Sequence, residues 1–324
     1  MGKLIRIGTR ESQLAVWQAT KVQQLLLENN FHSTLVFIKS EGDIDLQTPL
    51  YEMGVQGIFT RSLDMALLNN TIDIAVHSMK DVPTQMAKGI VQAAVLERAS
   101  YKDVLVYKES SMVNDQWLMI NENNSALDNP FSNPQSSFTF ASSSIRRKAQ
   151  WLNRYPHHII ENLRGNVNTR LKKVAESKWH GAIFAAAGIE RIGLRPSNSI
   201  DLDWMLPAPA QGAIMVVARE GDNYCLNACE YLNHSQTGIC TKIERDFLRS
   251  LLGGCSTPIS ALAEIQDDKI SFKGNILSVD GKEKVSIEKI LPLQAAGLLG
   301  LTLAEEILQN GGQIIADGIH NATK

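Results

Sequence analysis

The stretch "TIDIAVHSMKDVP" (residues 71–83) runs through an almost unbroken apolar segment and then stops at Lys80, Asp81 and Pro83. A short apolar run of this kind reads as a strand buried on both faces, as parallel strands are. Working outward, "KLIRIGT" (residues 3–9) and "STLVFIKS" (residues 33–40) read as two earlier strands. Between them the spacing predicts a helix capped by Ser12, with Leu14, Trp17, Val22 and Leu25 on its inner face. A second helix is predicted in "GIFTRSLDMALLNN", with Phe59, Leu63, Ala66 and Leu67 turned inward. That is βαβαβ order, the signature of a doubly wound α/β unit.

The pattern continues. "IVQAAVLER" predicts another strand and "ASYKD" a junction, after which a unit of the same kind begins: "DVLVYK", "FTFA", a helix from Ser144 to Arg154, "HHII", a further helix and "GAIFAAA". The stretch 108–137, rich in Asn, Ser and Pro, reads as a mobile surface insertion. Beyond "LPAPAQGAIMVVARE" the character changes. Two helices lead to Gly253 and Gly254, three strands follow with Asp-Asp and Asp-Gly turns, and "LQAAGLLGLTLAEEILQN" predicts a last helix, so the carboxyl-terminal part reads as a small α+β domain. No internal sequence repeat is visible.

The chain has 324 residues, 44% hydrophobic and 20% charged, with a formal net charge of −2. This balance fits a globular protein and argues against a general nucleic-acid binder, which needs a basic excess. The amino terminus lacks the apolar segment of a secretory signal, Arg6 breaks the myristoylation pattern, and no apolar run reaches the roughly 18 residues of a membrane span. A cytoplasmic location is expected. With four cysteines and no export signal, thiols rather than bridges are expected. Cys225, Cys229, His234 and Cys240 miss the spacing of compact zinc sites and read as small core residues; no metal is expected.

Ligands of open α/β sheets bind beyond the carboxyl ends of the strands. Three such ends are polar here: Thr9-Arg10, "HSMKDVP" and "SSSIRR". In the last, Ser142 and Ser144 open a helix whose first turn carries Arg146 and Arg147. Cations ordinarily avoid a helix N-terminus, so two arginines there call for an anion. "NLRGNVNTRLKK" repeats the design with Arg164 and Arg170. Each arginine alone could be solvated or paired with an acid; together with Arg10 they favour a shared polyanion site. Asp81 reads either as a turn residue before Val-Pro or as a carboxylate able to hold cationic intermediates and move protons. Lys80 shows no sign of the desolvation a Schiff-base lysine requires, and His77 reads as a strand-end hydrogen-bonding residue. Cys255, behind two glycines in "LLGGCSTPI", is either a buried inert thiol or a nucleophile.

The motifs "IGTRESQLA", "DIAVHSMKDVP", "SSSIRRKAQ", "LRGNVNTRL", "GIERIGL", "PAPAQGA" and "LLGGCSTPI" stand in the order and spacing of the hydroxymethylbilane synthase (porphobilinogen deaminase) family, which the chain resembles over nearly its full length. The resemblance implies a transferase of tetrapyrrole and haem biosynthesis. Four porphobilinogen molecules would be deaminated and joined head to tail on a covalent dipyrromethane primer, then released by hydrolysis as 1-hydroxymethylbilane. It implies two doubly wound domains like periplasmic binding proteins, residues 1–99 with 213–230 and residues 103–206. A small α+β domain, residues 235–324, with a three-stranded antiparallel sheet, would carry the cysteine loop. Cys255 would hold the dipyrromethane by a thioether and Asp81 would be the catalytic carboxylate. Lys80, Ser12, Asp81, Ser142, Ser144, Arg146 and Arg147 would bind the cofactor, and Arg10, Arg164, Arg170, Arg191 and Gln211 the substrate. The family precedent is a monomer. Glu52 and Gln56 stand where many members have lysines, which leaves a catalytically impaired paralogue open beside the active enzyme. An organic-anion binding protein is the other alternative.

Overall fold

The apolar run at 71–83 does become a strand buried on both sides. The computed structural model describes residues 3–39, 60–109, 114–121, 130–251 and 257–322. A first five-stranded sheet has the order β2-β1-β3-β10-β4, built from β1 (Ile5–Thr9), β2 (Ser33–Phe37), β3 (Ile74–Ser78), β4 (Ile90–Val95) and β10 (Ile214–Arg219). Ile74 and Val76 of β3 pack into one core, with helix α1 (Gln13–Glu28) and α7 (Asn223–Glu230) above it. Ala75 faces a second core, under α2 (Arg61–Leu68). Alternate residues thus meet two apolar layers, which is why the segment shows no polar alternation.

The second sheet repeats this order as β7-β6-β8-β5-β9, from β5 (Asp103–Tyr107), β6 (Thr139–Ala141), β7 (Ile159–Glu161), β8 (Gly181–Ala185) and β9 (Ser199–Asp201). Its helices are the five-residue α3 (Asn114–Leu118), α4 (Ile145–Arg154), α5 (Val167–Glu176) and the short α6 (Ala186–Glu190). In each sheet the fourth strand in the order is the one that arrives from the other sheet, and it runs antiparallel to its neighbours: β5 after the first crossing, β10 after the second. The two lobes are joined by two connecting segments that touch. A side chain at Gly212 (φ +89°) would meet the Ala99 carbonyl at 2.6 Å, so only glycine permits that approach.

The third sheet is antiparallel, of β11 (Ile259–Gln266), β12 (Lys269–Leu277) and β13 (Lys284–Pro292). Asp267 and Asp268, both left-handed at φ 50° and 56°, form the first turn, as predicted for a two-residue hairpin. Helices α8 (Ser235–Ser250), α9 (Leu299–Ile307) and α10 (Gln313–Ala322) cover one side of it. Phe247 of α8 stacks edge-on against Phe272, in the space left by Gly274. The last helix read from the sequence, residues 293–310, is a short 3-10 turn followed by α9, and α10, which the sequence reading did not include, follows after Gly311 turns left-handed (φ 100°).

Two other expectations are corrected. The buried stripe of α1 is Ala15, Gln18, Ala19, Val22 and Leu26, with Trp17 37% exposed. Small residues let the helix lie close on the sheet, while the bulky Leu14 and Trp17 are turned to the other lobe, where Trp17 lies 5.7 Å beneath the Arg191 guanidinium. The stretch 108–137 is not merely a surface insertion. Trp117, Ile120 and Phe131 are buried in the aromatic core of the second lobe, Trp117 stacking on Tyr107. A few aromatic residues, scattered in a polar background that hides them from composition, anchor its described parts.

His158 lies in that aromatic core, accepting from the Trp151 indole N–H at 3.1 Å. Burial, helped by His157 and His180, pushes its pKa down from 6.5 to about 4. The unfolded chain then takes up a proton before the folded one does. Stability from this group is intact above pH 6.5 and is lost as pH falls towards 4, about 3 kcal/mol in all. A His158→Gln variant, which keeps an acceptor for Trp151, is expected to flatten the fall in urea midpoint between pH 7 and pH 4.5. Equal slopes in the two proteins would refute this origin of acid lability.

Candidate active site

The chemistry gathers where parallel strands end. β3 runs directly into a 3-10 turn, Met79–Asp81, which carries Lys80 and Asp81 out of the first sheet. In the second, β6 ends at Ala141. Ser142 follows, its hydroxyl accepting from the Ser144 N–H at 3.2 Å, and Ser144 then caps α4 by accepting from Arg147 N at 3.5 Å. After β7, Asn166 caps α5 by accepting from Thr169 N at 2.9 Å. Arg164 precedes that cap, and Arg170 donates back to the Gly165 carbonyl at 2.7 Å.

Arg146 and Arg147 are buried, and the anion they call for is first of all the protein's own. Asp103, fully buried at the start of β5, accepts from Arg146 Nη2 at 2.7 Å on one oxygen, and from Arg147 Nε at 3.0 Å and Nη2 at 2.7 Å on the other. Burial alone would raise the Asp103 pKa, but the two guanidiniums outweigh it and hold the carboxyl at about 2. Asp103 also accepts from Gln211 Nε2 at 2.9 Å, and Gln211 Oε1 accepts from Lys80 Nζ at 3.1 Å. The sequence reading missed Asp103, because an acid at the head of an apolar strand looks like the last residue of a junction.

The halves of the site are electrostatically one. Burial and then Arg147 push the Lys80 ammonium down to about 8, against the pull of Asp81 and Asp103. Burial, Arg147 and Arg164 push Arg170 down to about 10, against Asp81. Lys80 is thus half-buried and partly desolvated after all, which nothing in its sequence neighbourhood announced. Within this group Lys80, Arg146, Arg147, Arg164 and Arg170 face the carboxylates Asp81 and Asp103, so cations outnumber anions. A ligand bearing several carboxylates fits that imbalance.

Other expected site residues lie differently. Arg10 follows β1 and acts on the neighbouring His77, a buried imidazole whose Nε2 has no hydrogen-bond partner among the described residues. Ser12 spends its hydroxyl as the α1 cap, accepting from Ala15 N at 3.4 Å. Arg191 donates to the Gly212 carbonyl at 2.6 Å and covers Trp17, so it spans the lobes. Cys255, Glu52 and Gln56 lie outside the described residues. Cys225, Cys229 and Cys240 are buried, and burial raises their thiols to about 12, 12 and 11, as expected of inert core residues. Asp73, Asp222 and Cys225 come close together, but Lys3, Arg6 and Arg219 already neutralise the acids.

Family models match almost the whole chain: the "Porphobilinogen deaminase, dipyromethane cofactor binding domain" over residues 5–227 and the "Porphobilinogen deaminase, C-terminal domain" over residues 238–309. The chain belongs to the porphobilinogen deaminase family. The porphobilinogen deaminase of Syntrophomonas wolfei is 38% identical over 315 residues, 96% of this chain and 97% of its own length. That of Pelobacter propionicus is 35% identical over 321 residues, 98% of this chain and 97% of its own length. Among solved structures, the periplasmic VFT2 domain of Bordetella pertussis BvgS aligns at TM-score 0.40 and 12% identity, covering 70% of this chain and 87% of that one. Among the described residues no helix is long and apolar enough to cross a membrane.

Asp103→Asn keeps the shape of the carboxyl group but leaves two buried guanidiniums uncompensated. The expected loss is about 3–5 kcal/mol in chemical unfolding. A loss below about 1 kcal/mol would mean that the pair is solvated and not the anchor described here.

Proposed function

We propose that the cleft between the two lobes holds a dipyrromethane primer and the chain growing from it, with Asp81 as the catalytic carboxylate. The activity is that of a hydroxymethylbilane synthase, a transferase of porphyrin biosynthesis. The observation that carries this reading is the joining of the two lobes at the site: Lys80 of the first is hydrogen-bonded through Gln211 to Asp103 of the second and feels Arg146 and Arg147, while Asp81 acts on Arg170. Membership of the family over nearly the whole chain disfavours an organic-anion binder.

The residues present suit such a primer. Each pyrrole of this chemistry carries an acetate and a propionate, and Lys80 and the arginines supply the matching donors, with Ser142 and Ser144 as neutral ones. We assign the thioether to Cys255, five residues before Ser260 of β11. Bound there, the dipyrromethane supplies the pyrrole end to which the first substrate ring is joined. Asp81 faces the substrate ring. It stabilises the azafulvenium cation left when the amino nitrogen of the porphobilinogen aminomethyl group departs as ammonia and its methylene carbon stays on the ring. It then takes part in removing the proton of the attacking ring after that methylene has formed the new carbon–carbon bond. In a site shielded from water such stabilisation contributes on the order of 3 kcal/mol. We assign Arg10, Arg164, Arg170 and Arg191 to the carboxylates of the lengthening product. Tethering makes each addition an encounter within one molecule, at high effective concentration.

The wider assignments go with this reading: three domains at 1–99 with 213–230, 103–206 and 235–324, a monomer, a cytoplasmic location, and no nucleic-acid or membrane partner. The test begins with intact mass. The purified chain is expected to carry an adduct of two pyrrole units, which Cys255→Ser loses. Asp81→Ala is expected to fold and bind yet release no hydroxymethylbilane. Normal turnover by Asp81→Ala would remove that residue from its role, and an unmodified active chain would remove the tether. Turnover of porphobilinogen by the unaltered chain also decides against an impaired paralogue with Glu52 and Gln56.

A further inference from the structure

The geometry points to Gln211 as a positioning residue that holds the two halves of the anion site in register, rather than as a ligand of the substrate. This rests on the reading of that site given above. The Gln211 side chain is buried, with 1% of the residue exposed, and both ends of its amide are engaged inside the protein. Oε1 accepts from Lys80 of the first lobe at 3.1 Å. Nε2 donates to Asp103 of the second lobe at 2.9 Å and to the Tyr101 carbonyl at 2.7 Å. One amide therefore joins the lysine next to Asp81 to the carboxylate that holds Arg146 and Arg147.

Its backbone is pinned from three sides. Ala210 is left-handed at φ 61°, a conformation that a residue with a Cβ adopts only when the surroundings enforce it. The enforcement is visible: Ala210 N donates to Glu244 of α8 at 2.6 Å. The Gln211 carbonyl accepts from Arg98 Nε at 2.8 Å, and Arg98 in turn forks onto both Glu244 oxygens at 2.6 and 3.1 Å. The Gly212 carbonyl accepts from Arg191 at 2.6 Å. Three consecutive residues are thus tied to the first connecting segment, to the second lobe and to the helix beside the third sheet. A glutamine fixed so firmly, with its amide spent on two charged partners, has little left for a ligand. It does set where the ammonium stands relative to the guanidiniums.

Gln211→Met conserves length and volume and removes the amide. The chain, expressed without a porphobilinogen supply, is incubated with porphobilinogen, and the fraction acquiring the two-pyrrole adduct is followed by intact mass. Loading at least 10-fold slower than in the unaltered chain is expected. Gln150→Met is the structural comparison. It cuts the ties of α4 to Leu206 and Ser260 but no link between Lys80 and Asp103, and it is expected to lower the melting temperature while loading normally. Should Gln211→Met not fold, Gln211→Glu replaces it. That variant keeps the acceptor for Lys80 but sets a negative charge against Asp103, and slower loading is again expected. Loading at the unaltered rate by a folded Gln211 variant overturns the inference, as does equal slowing in Gln150→Met. Failure of the unaltered chain to acquire any adduct overturns the reading of the site instead.

Discussion

One buried carboxylate organises the cleft. Asp103 accepts from two adjacent guanidiniums that would otherwise be buried in an apolar lobe beside a helix N-terminus, the end that repels cations. A buried ion pair is weak evidence for stability, since desolvation offsets most of the attraction. What it does supply is direction. The forks of Arg146 and Arg147 are held by the first residue of β5, and β5 is the strand by which the chain enters the second lobe. The cationic wall of the site is therefore built on the crossing point itself.

The topology extends this. Each lobe takes its antiparallel fourth strand from a chain that has just left the other, so the lobes are stitched by two neighbouring segments and cannot be separated by cutting one. Arg98 on the first segment and Ala210 and Gln211 on the second meet at Glu244, fully buried on α8, which also accepts from Ala263 N of β11 at 2.8 Å. This places a second buried carboxylate at the meeting point of all three sheets. The two acids, linked through Gln211, run from the third sheet to the arginine pair.

Much of this architecture is legible in the sequence, because alternation of apolar strands and amphipathic helices is a local pattern. The parts that are not legible have a physical reason in each case. In α1 the spacing of large apolar residues points to Leu14 and Trp17 beside Val22, whereas tight helix–sheet packing selects Ala15 and Ala19 and frees Trp17 for the lobe interface. In the stretch 108–137 a polar composition hides the buried Trp117 and Phe131. At the site, arginines at a helix start correctly announced an anion, but a sequence does not say that the first anion is Asp103, some forty residues earlier in the chain. Glu244 looks like any charged residue of a helix until two connecting segments are seen to converge on it. For the tether proposed at Cys255 only the motif speaks, since that residue lies outside those described.

The depressed values at Lys80 and Arg170 disclose what the cleft is prepared for. Each is pushed down by burial and by neighbouring cations, so the site holds like charges closer together than they would stand in water. That repulsion is held in place by the hydrogen bonds of Asp103 and Gln211 and by the caps of α4 and α5. A carboxylate entering the cleft relieves it, and the relief grows with each negative charge that comes within reach. On the assignment proposed above, a product that gains two carboxylates per ring meets a wall whose free energy falls as the product lengthens. Preorganised donors of this kind reward a lengthening polyanion without being rebuilt at each addition, so on that assignment one set of arginines suits a stepwise condensation better than a single binding event.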